Sequence, residues 1–254
     1  MRTSNVILRK MENFDYDSPE SASMTGVGIK SGILLLVCLV AACFSMILFN
    51  TVSNDMIVVY TLAIIGTVVF QIIITVNPLT ANILSIPYVI CEGITIGVLC
   101  DLMEFALPGE GFAIASGALI ITLGIVFAAC ILYSHAGLRA KSGFIKFFII
   151  LIFGISIGSI FFTITALFTK LFSGISLWSI YFGSSISIVV SVIMVVVASI
   201  YVFITIQNTD DVVSYGMNKE YEWYAGFGIA VSVIWLFLEV LELLLRIAAR
   251  SKRD

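Results

Sequence analysis

Long apolar runs separated by short polar stretches dominate this chain. Seven of the runs are long enough to cross a bilayer: residues 31–50, 56–76, 82–104, 112–133, 144–168, 178–207 and 224–248. About 20 residues of α-helix span the roughly 30 Å of hydrocarbon in a membrane. Because lipid offers no hydrogen-bond partner to the backbone, such runs predict helices. The pattern therefore predicts an all-α integral membrane protein, built as a bundle of seven transmembrane helices.

The polar residues outside these runs divide the chain into three parts. Residues 1–30 form a polar N-terminal tail, residues 31–248 the helical bundle, and residues 249–254 a basic C-terminal tail. More Lys and Arg fall on the inner side of the membrane if the N-terminus is cytoplasmic, as the positive-inside rule requires. We therefore expect a multi-pass protein of the cell membrane with its N-terminus in the cytoplasm. The basic C-terminus leaves the side of that end open.

Composition supports this class and excludes others. Hydrophobic residues make up 60% of the 254 residues and charged residues 11%, against roughly 25% charged residues in soluble domains. A net charge of −3 gives no support for binding nucleic acid. The five cysteines fall in apolar runs without a CxxC pair, which predicts small buried side chains rather than disulfides or zinc ligands. The partner that composition indicates is the lipid bilayer.

The last run combines transmembrane length with two acids near its far end. Glu239 lies well inside the span, and Glu242 follows three residues later on the same helix face. A charge in such a place costs roughly 2.5–3.5 kcal/mol on insertion scales, so we expect this helix to lie inside the bundle. Two acids this close in poorly solvated surroundings favour protonation of at least one. Arg246 follows Glu242 by four residues, which predicts an ion pair with Arg246 reaching outward to the interface.

The third run carries an acid near its middle. Glu92 lies too deep in the run to be a solvated loop charge, so we expect it to organise the bundle or to serve function. Gly93 and Gly97 form a small-xxx-small pair, which predicts the close approach of another helix. Acids near the far end are expected to be solvated charges or to make that mouth acidic; they are Asp101, Glu104 and Glu110.

The sixth run ends in a polar segment. Thr205 and Gln207 lie near the end of the run and are candidates for hydrogen bonds to other helices. Asp210 and Asp211 follow the apolar part. We expect them to cap a helix or lie in a solvated loop, and a ring of charge at a pore mouth is the alternative.

Patterns typical of an enzyme have simpler explanations here. GISIG (154–158) matches the GxSxG nucleophile motif, but that motif needs a strand–turn–helix elbow with His and Asp partners. The segment lies in an apolar run, where small residues serve helix packing. His135, the one histidine of the sequence, lies in a basic loop. No set of nucleophile, base and orienting group is present in the sequence, so we expect no enzyme and no cofactor.

Several stretches together resemble the Bax inhibitor 1-like family, in its bacterial branch. The matching pieces run nearly end to end: MRTSNVILRK, the NP of Asn77 and Pro78, YVICEGITIG, the PG of Pro108 and Gly109, the LY of Leu132 and Tyr133, and EWYAGFGIAVSVIWLFLEVLELLLRI. The resemblance implies six helices wrapped around a central seventh. It also implies a pH-sensitive calcium leak gated by two acids, one after the sixth apolar run and one in the seventh helix.

The resemblance assigns those two positions here. The seventh-helix acid is Glu239, and the other position falls on Thr205, where family members carry Asp. Gln207 or Asp210 is a candidate replacement, and pairing of Glu239 with Glu92 or Glu242 is the alternative.

Two functions follow as expectations. The first is a pH-sensitive calcium leak channel with Glu92 and Glu239 as ion ligands, since hard cations prefer oxygen. The second is a non-conducting regulator that binds another membrane protein, such as a protease or a cell-death factor. A proton-coupled transporter ranks behind both, because the sequence contains no inverted repeat and no pair of broken helices.

Overall fold

The computed structural model describes residues 21–48, 54–134, 139–173 and 185–251. The α-helices in these ranges are α1 (Met24–Leu48), α2 (Asn54–Val76), α3 (Ala81–Ala106), α4 (Gly111–Ser134), α5 (Ser142–Ser173), α6 (Ser185–Ser214) and α7 (Tyr221–Ser251), with a 3-10 turn (Pro78–Thr80) before α3. All seven are long and apolar enough to cross a membrane. The predicted all-α architecture with seven membrane-spanning helices is confirmed. His135 and the start of the sixth predicted span lie outside the described residues.

Two helices extend well beyond their apolar runs. The first helix begins at Met24, seven residues before the predicted span, and the sixth ends at Ser214, seven residues after it. Hydropathy marks only the part of a helix that lies in hydrocarbon, whereas backbone hydrogen bonding continues until the chain must turn. After α6 that turn comes at Gly216, which has φ +68°, a conformation that favours glycine.

The first and third helices cross in close contact. A Cβ on Gly93 would overlap the carbonyl oxygen of Cys38 and lie 2.7 Å from the Cβ of Ala41. Gly97 meets Ser45 in the same way one turn later. The predicted small-xxx-small contact is confirmed, and α1 is the helix that makes it.

The last helix packs against α1, α3, α4 and α6. Its early residues Phe227, Ala230 and Ile234 join a buried cluster with α1 and α3. Its later residues join a second cluster with α3, α4 and α6; they are Leu236, Val240 and Leu241. The arrangement of all six other helices around α7 stays a prediction.

Successive helices run in opposite directions because their connections are short. We call the membrane side that holds the α2–α3, α4–α5 and α6–α7 connections face A, and the opposite side face B. Helices α3 and α7 both run from face A to face B. Their contacts agree with this, since Tyr88 meets Phe227 near face A and Met103 joins Val240 in one cluster near face B.

Candidate functional site

Glu92 lies half-buried on α3, on the side that α1 and α2 cover. The hydroxyl of Thr67 on α2, which donates to the backbone oxygen of Ala63 at 2.8 Å, is a polar neighbour of the Glu92 carboxyl. The thiol of Cys38 on α1 and the phenol of Tyr88, one turn earlier on α3, are its electrostatic neighbours. Glu92 therefore lies where α1, α2 and α3 meet, and its role in organising the bundle or in function stays a prediction.

Glu239 occupies a polar stripe on the second half of α7. The indole Nε1–H of Trp235 donates a hydrogen bond of 2.9 Å to Oε1 of Glu239. Trp235 itself packs edge-on against Tyr201 of α6, with ring centroids 5.4 Å apart. Glu242 continues the stripe and is an electrostatic neighbour of Glu239. The face shared by these two acids, predicted from their spacing, is present.

Arg246 ends this stripe and points inward. Its guanidinium pairs with Glu242, and Nη1 donates a hydrogen bond of 2.5 Å to the backbone oxygen of Ser187 on α6. The Arg246 side chain is only 8% exposed, whereas that of Glu242 is 40% exposed. The ion pair was predicted correctly, but its outward-reaching arginine was wrong. A backbone carbonyl at the start of α6 gives the guanidinium a partner inside the protein.

Glu92 and Glu239 do not meet. The contact of Tyr88 with Phe227, with ring centroids 4.9 Å apart, fixes the relative level of α3 and α7. Glu92 lies four residues beyond Tyr88, and Glu239 lies twelve residues beyond Phe227. The difference of eight residues places Glu239 about 12 Å closer to face B. These are two carboxyls at two depths, so the structure does not pair them.

Thr205 is also distant from Glu239. Its hydroxyl donates to the backbone oxygen of Tyr201 in its own helix, at 2.8 Å. Its methyl group faces Gly228 of α7, where an added Cβ would lie 3.8 Å away. Glu239 follows Gly228 by eleven residues, or about 16 Å of helix. The position that the resemblance gives to a second acid therefore does not lie beside Glu239, and the predicted bond from Thr205 to another helix is not formed.

Gln207 and Asp210 bind the segment that leads into α5. Gln207 accepts a hydrogen bond from the backbone N–H of Ala140 at 2.7 Å and donates one to its backbone oxygen at 3.2 Å. Asp210 accepts from the Tyr133 hydroxyl at 2.5 Å and from Arg139 at 2.7 Å. The expected cap or solvated loop was wrong for Asp210 and for Asp211, which lies 3.8 Å from Arg139, because α6 continues through both.

The acids near face B have different surroundings. Glu104 accepts hydrogen bonds from the backbone N–H groups of Gly109 and Phe112, at 2.6 and 3.3 Å, and so holds the turn between α3 and α4. Glu104 and Asp101 also line a cavity of about 320 Å³, together with Met46, Ile47, Cys100 and Phe112. In the part of the chain that the structure describes, no cluster of three or more His, Cys, Asp or Glu side chains could hold a metal ion.

A buried ion pair at face A was not predicted from the sequence. Lys30 of α1 lies 2.6 Å from Glu222 of α7, and Glu222 is only 2% exposed. Lys30 was predicted to belong to the polar tail, so no helix partner was expected for it. The topology offered a signal, since the start of α1 and the start of α7 lie on the same side of the membrane.

Comparison with known proteins agrees with the resemblance. The family model described as Bax inhibitor 1 like matches residues 5–249, a range that includes α1 to α6 and all but the last two residues of α7. A comparison with curated proteins gave no match, and a comparison with solved structures gave none. Together with seven helices able to span a membrane, the match identifies the chain as a multi-pass membrane protein that belongs to the Bax inhibitor 1-like family.

Proposed function

We propose that this protein is a pH-sensitive calcium leak channel in which Glu92 and Glu239 are the ion ligands. Both carboxyls lie in membrane-spanning helices and are half-buried. The observation that carries the proposal is that neither carboxyl forms an ion pair. Among the described residues, neither carboxyl belongs to an ion pair; Arg246, which pairs with Glu242, is an electrostatic neighbour of Glu239 at a longer distance.

Three other acids of the described bundle do form ion pairs. Glu222 has Lys30, Asp210 has Arg139, and Glu242 has Arg246. Glu92 and Glu239 have neutral polar neighbours instead: the Thr67 hydroxyl lies beside Glu92, and the Trp235 indole donates to Glu239. A carboxyl without a countercharge in a membrane either takes up a proton or binds a cation. Competition of protons with the cation at these oxygens would make the leak depend on pH.

In this proposal the remaining polar groups lie near the two ends of the ion path. Asp210 and Gln207 lie at face A, which we take to be cytoplasmic, and Glu242 lies beyond Glu239 toward face B. Thr205 supplies no charge. The two ligands act at two depths, one after the other, rather than as a proton-sharing pair.

Calcium flux into liposomes across acidic to neutral pH tests the proposal. The unchanged chain should pass more calcium than empty liposomes, with a rate that changes with pH. Glu239→Gln and Glu92→Gln should each flatten that dependence, and Glu220→Gln, an exposed glutamate near face A, should leave it unchanged. Flux equal to that of empty liposomes at every pH would refute the leak.

A non-conducting regulator is the second candidate. The separation of Thr205 from Glu239 favours it, because the two-acid gate implied by the resemblance is not formed. In this case the protein binds another membrane protein in a fixed ratio. Mild cross-linking in native membranes followed by purification would show one stoichiometric partner, while liposomes containing the pure protein pass no calcium.

A further inference from the structure

The start of α1 is fastened to the first turn of α7 by one carboxylate. Lys30 Nζ lies 2.6 Å from Oε2 of Glu222. The backbone N–H and the hydroxyl of Ser23 donate to Oε1, at 2.8 and 3.0 Å. Both oxygens of a buried carboxylate are therefore bound by groups of α1 or of the residue just before it. We call this set, Ser23, Lys30 and Glu222, the face A lock.

The chain just before α1 adds a second attachment. The backbone N–H of Ala22 donates to the oxygen of Met217 at 2.7 Å, and Ser21 pairs with Asn218 in an isolated β-bridge. The segment 21–23 thus lies against the turn that joins α6 to α7. These bonds join the chain before α1 to the residues just before α7.

Two glycines allow the helices to come this close. A Cβ on Gly26 would lie 2.5 Å from the carboxyl carbon of Glu222. A Cβ on Gly226, one turn after Glu222, would lie 3.1 Å from the backbone nitrogen of Ser31. The close approach at both glycines brings α1 against the first turns of α7 and covers the Glu222 carboxylate, which is 3% exposed.

The face A lock lies closer to face A than the helix interface that contains Glu92. Two turns beyond Lys30, about 12 Å along α1, the buried thiol of Cys38 is an electrostatic neighbour of Glu92. Cys38 belongs to one buried cluster with Tyr88 of α3 and Phe227 of α7. Water entering between α1 and α7 from face A would reach Cys38 and Glu92 through this cluster.

We propose that the face A lock is an autoinhibitory contact that keeps the α1–α3–α7 interface closed, and that its release admits water to Cys38 and Glu92. A buried ion pair adds little net stability over apolar groups of similar size, but it imposes one geometry. The lock therefore sets the closed position of α7 rather than the stability of the fold. Its effect on calcium flow rests on the proposed leak, whereas its effect on the interface does not.

Thiol labelling of Cys38 tests the lock without reference to flux. The full chain is prepared with Cys43, Cys91, Cys100 and Cys130 changed to Ala, reconstituted in lipid nanodiscs, and reacted with N-ethylmaleimide. The double variant Lys30→Met with Glu222→Gln leaves no unpaired buried charge and should fold. Its Cys38 should react about tenfold faster than in the parent, which corresponds to about 1.4 kcal/mol. Lys30→Arg should react at a rate close to that of the parent, and so should Lys219→Met, an exposed lysine at the same face.

The outcomes distinguish an effect of the lock on one helix interface from a loss of overall stability and from an effect on calcium flux. Faster labelling with an unchanged unfolding midpoint supports a lock that acts on one interface. Labelling of the double variant within twofold of the parent overturns the proposal, even if the single variants Lys30→Met and Glu222→Gln fail to fold. Faster labelling without any calcium flux keeps the lock and removes the leak. Flux that is present and unchanged in the double variant keeps the leak and shows that the lock does not control it.

Discussion

The indole nitrogen of Trp235 lies 2.9 Å from the carboxylate of Glu239, one helical turn further along α7. This bond gives a membrane-embedded acid a neutral donor and fixes the direction in which its carboxyl points. The same indole packs against Tyr201, so that α6 holds the donor in place. Glu239 is therefore oriented by two helices although it belongs to one.

Changing Trp235 to Phe removes this donor and keeps the aromatic contact with Tyr201. We expect a loss of about 1–3 kcal/mol in unfolding free energy, because the buried acceptor loses its partner. In a Glu239→Leu background the same change should cost clearly less. Denaturant titration of the four proteins in mixed micelles gives the coupling energy. Equal losses in both backgrounds would show that the bond contributes nothing.

Gly93→Ala should destabilise the contact between α1 and α3. The new methyl group would overlap the carbonyl of Cys38, and overpacking of this kind costs about 1–3 kcal/mol. Gly124→Ala is the matched control, since an added Cβ on this α4 residue meets nothing within 4 Å. The control should be neutral or stabilising by up to about 1 kcal/mol. Thermal unfolding in detergent measures both, and a Gly93→Ala protein as stable as the control would contradict the close crossing.

Gln207→Leu should destabilise the protein more than Arg139→Met does, although both break contacts with the segment before α5. Gln207 is 6% exposed and bonds both backbone groups of Ala140, so its loss leaves partly buried polar atoms without partners, at about 1–3 kcal/mol. The Arg139 side chain is 58% exposed, and ion pairs of that kind contribute about 0–1 kcal/mol.

Hydrogen exchange measured near Ala140 and across the start of α5 provides the local readout for these two variants. Exchange should rise strongly in Gln207→Leu and slightly in Arg139→Met, and the effect of Arg139→Met should vanish in high salt. A larger rise in Arg139→Met than in Gln207→Leu would show that the ion pair of Arg139, and not Gln207, holds the segment before α5.

Arg246→Met should cost more stability than Glu242→Gln. The arginine bonds the backbone oxygen of Ser187 as well as Glu242, whereas Glu242 is 40% exposed and can be hydrated. The Ser187 carbonyl would lose a charged donor, at about 1.5–3 kcal/mol. Denaturant titration of both variants checks the order, and Arg246→Lys serves as a control that keeps the charge. If Glu242→Gln costs as much as Arg246→Met, the bond to Ser187 is not the stabilising one.

Part of the candidate site was predictable because depth in a span can be read from the sequence. Glu92 and Glu239 were identified as deep acids by counting along apolar runs, and both lie in membrane-spanning helices. Gly93 and Gly97 were assigned to a helix contact from their spacing, and the structure places α1 there. The partners of the acids were not predictable, because spacing along one helix carries no information about a second helix.

The local sequence determined which segments of this protein form membrane-spanning helices. Apolar runs of transmembrane length fix seven helices, since lipid cannot hydrogen-bond an unpaired backbone. Tertiary structure decided which side chains meet: Lys30 with Glu222, Gln207 with Ala140, and Glu239 with Trp235 rather than with Thr205 or Glu92. The reason is physical. The relative level of two helices is set by how their surfaces interlock, as at Tyr88 and Phe227, and that packing depends on all the side chains at the contact.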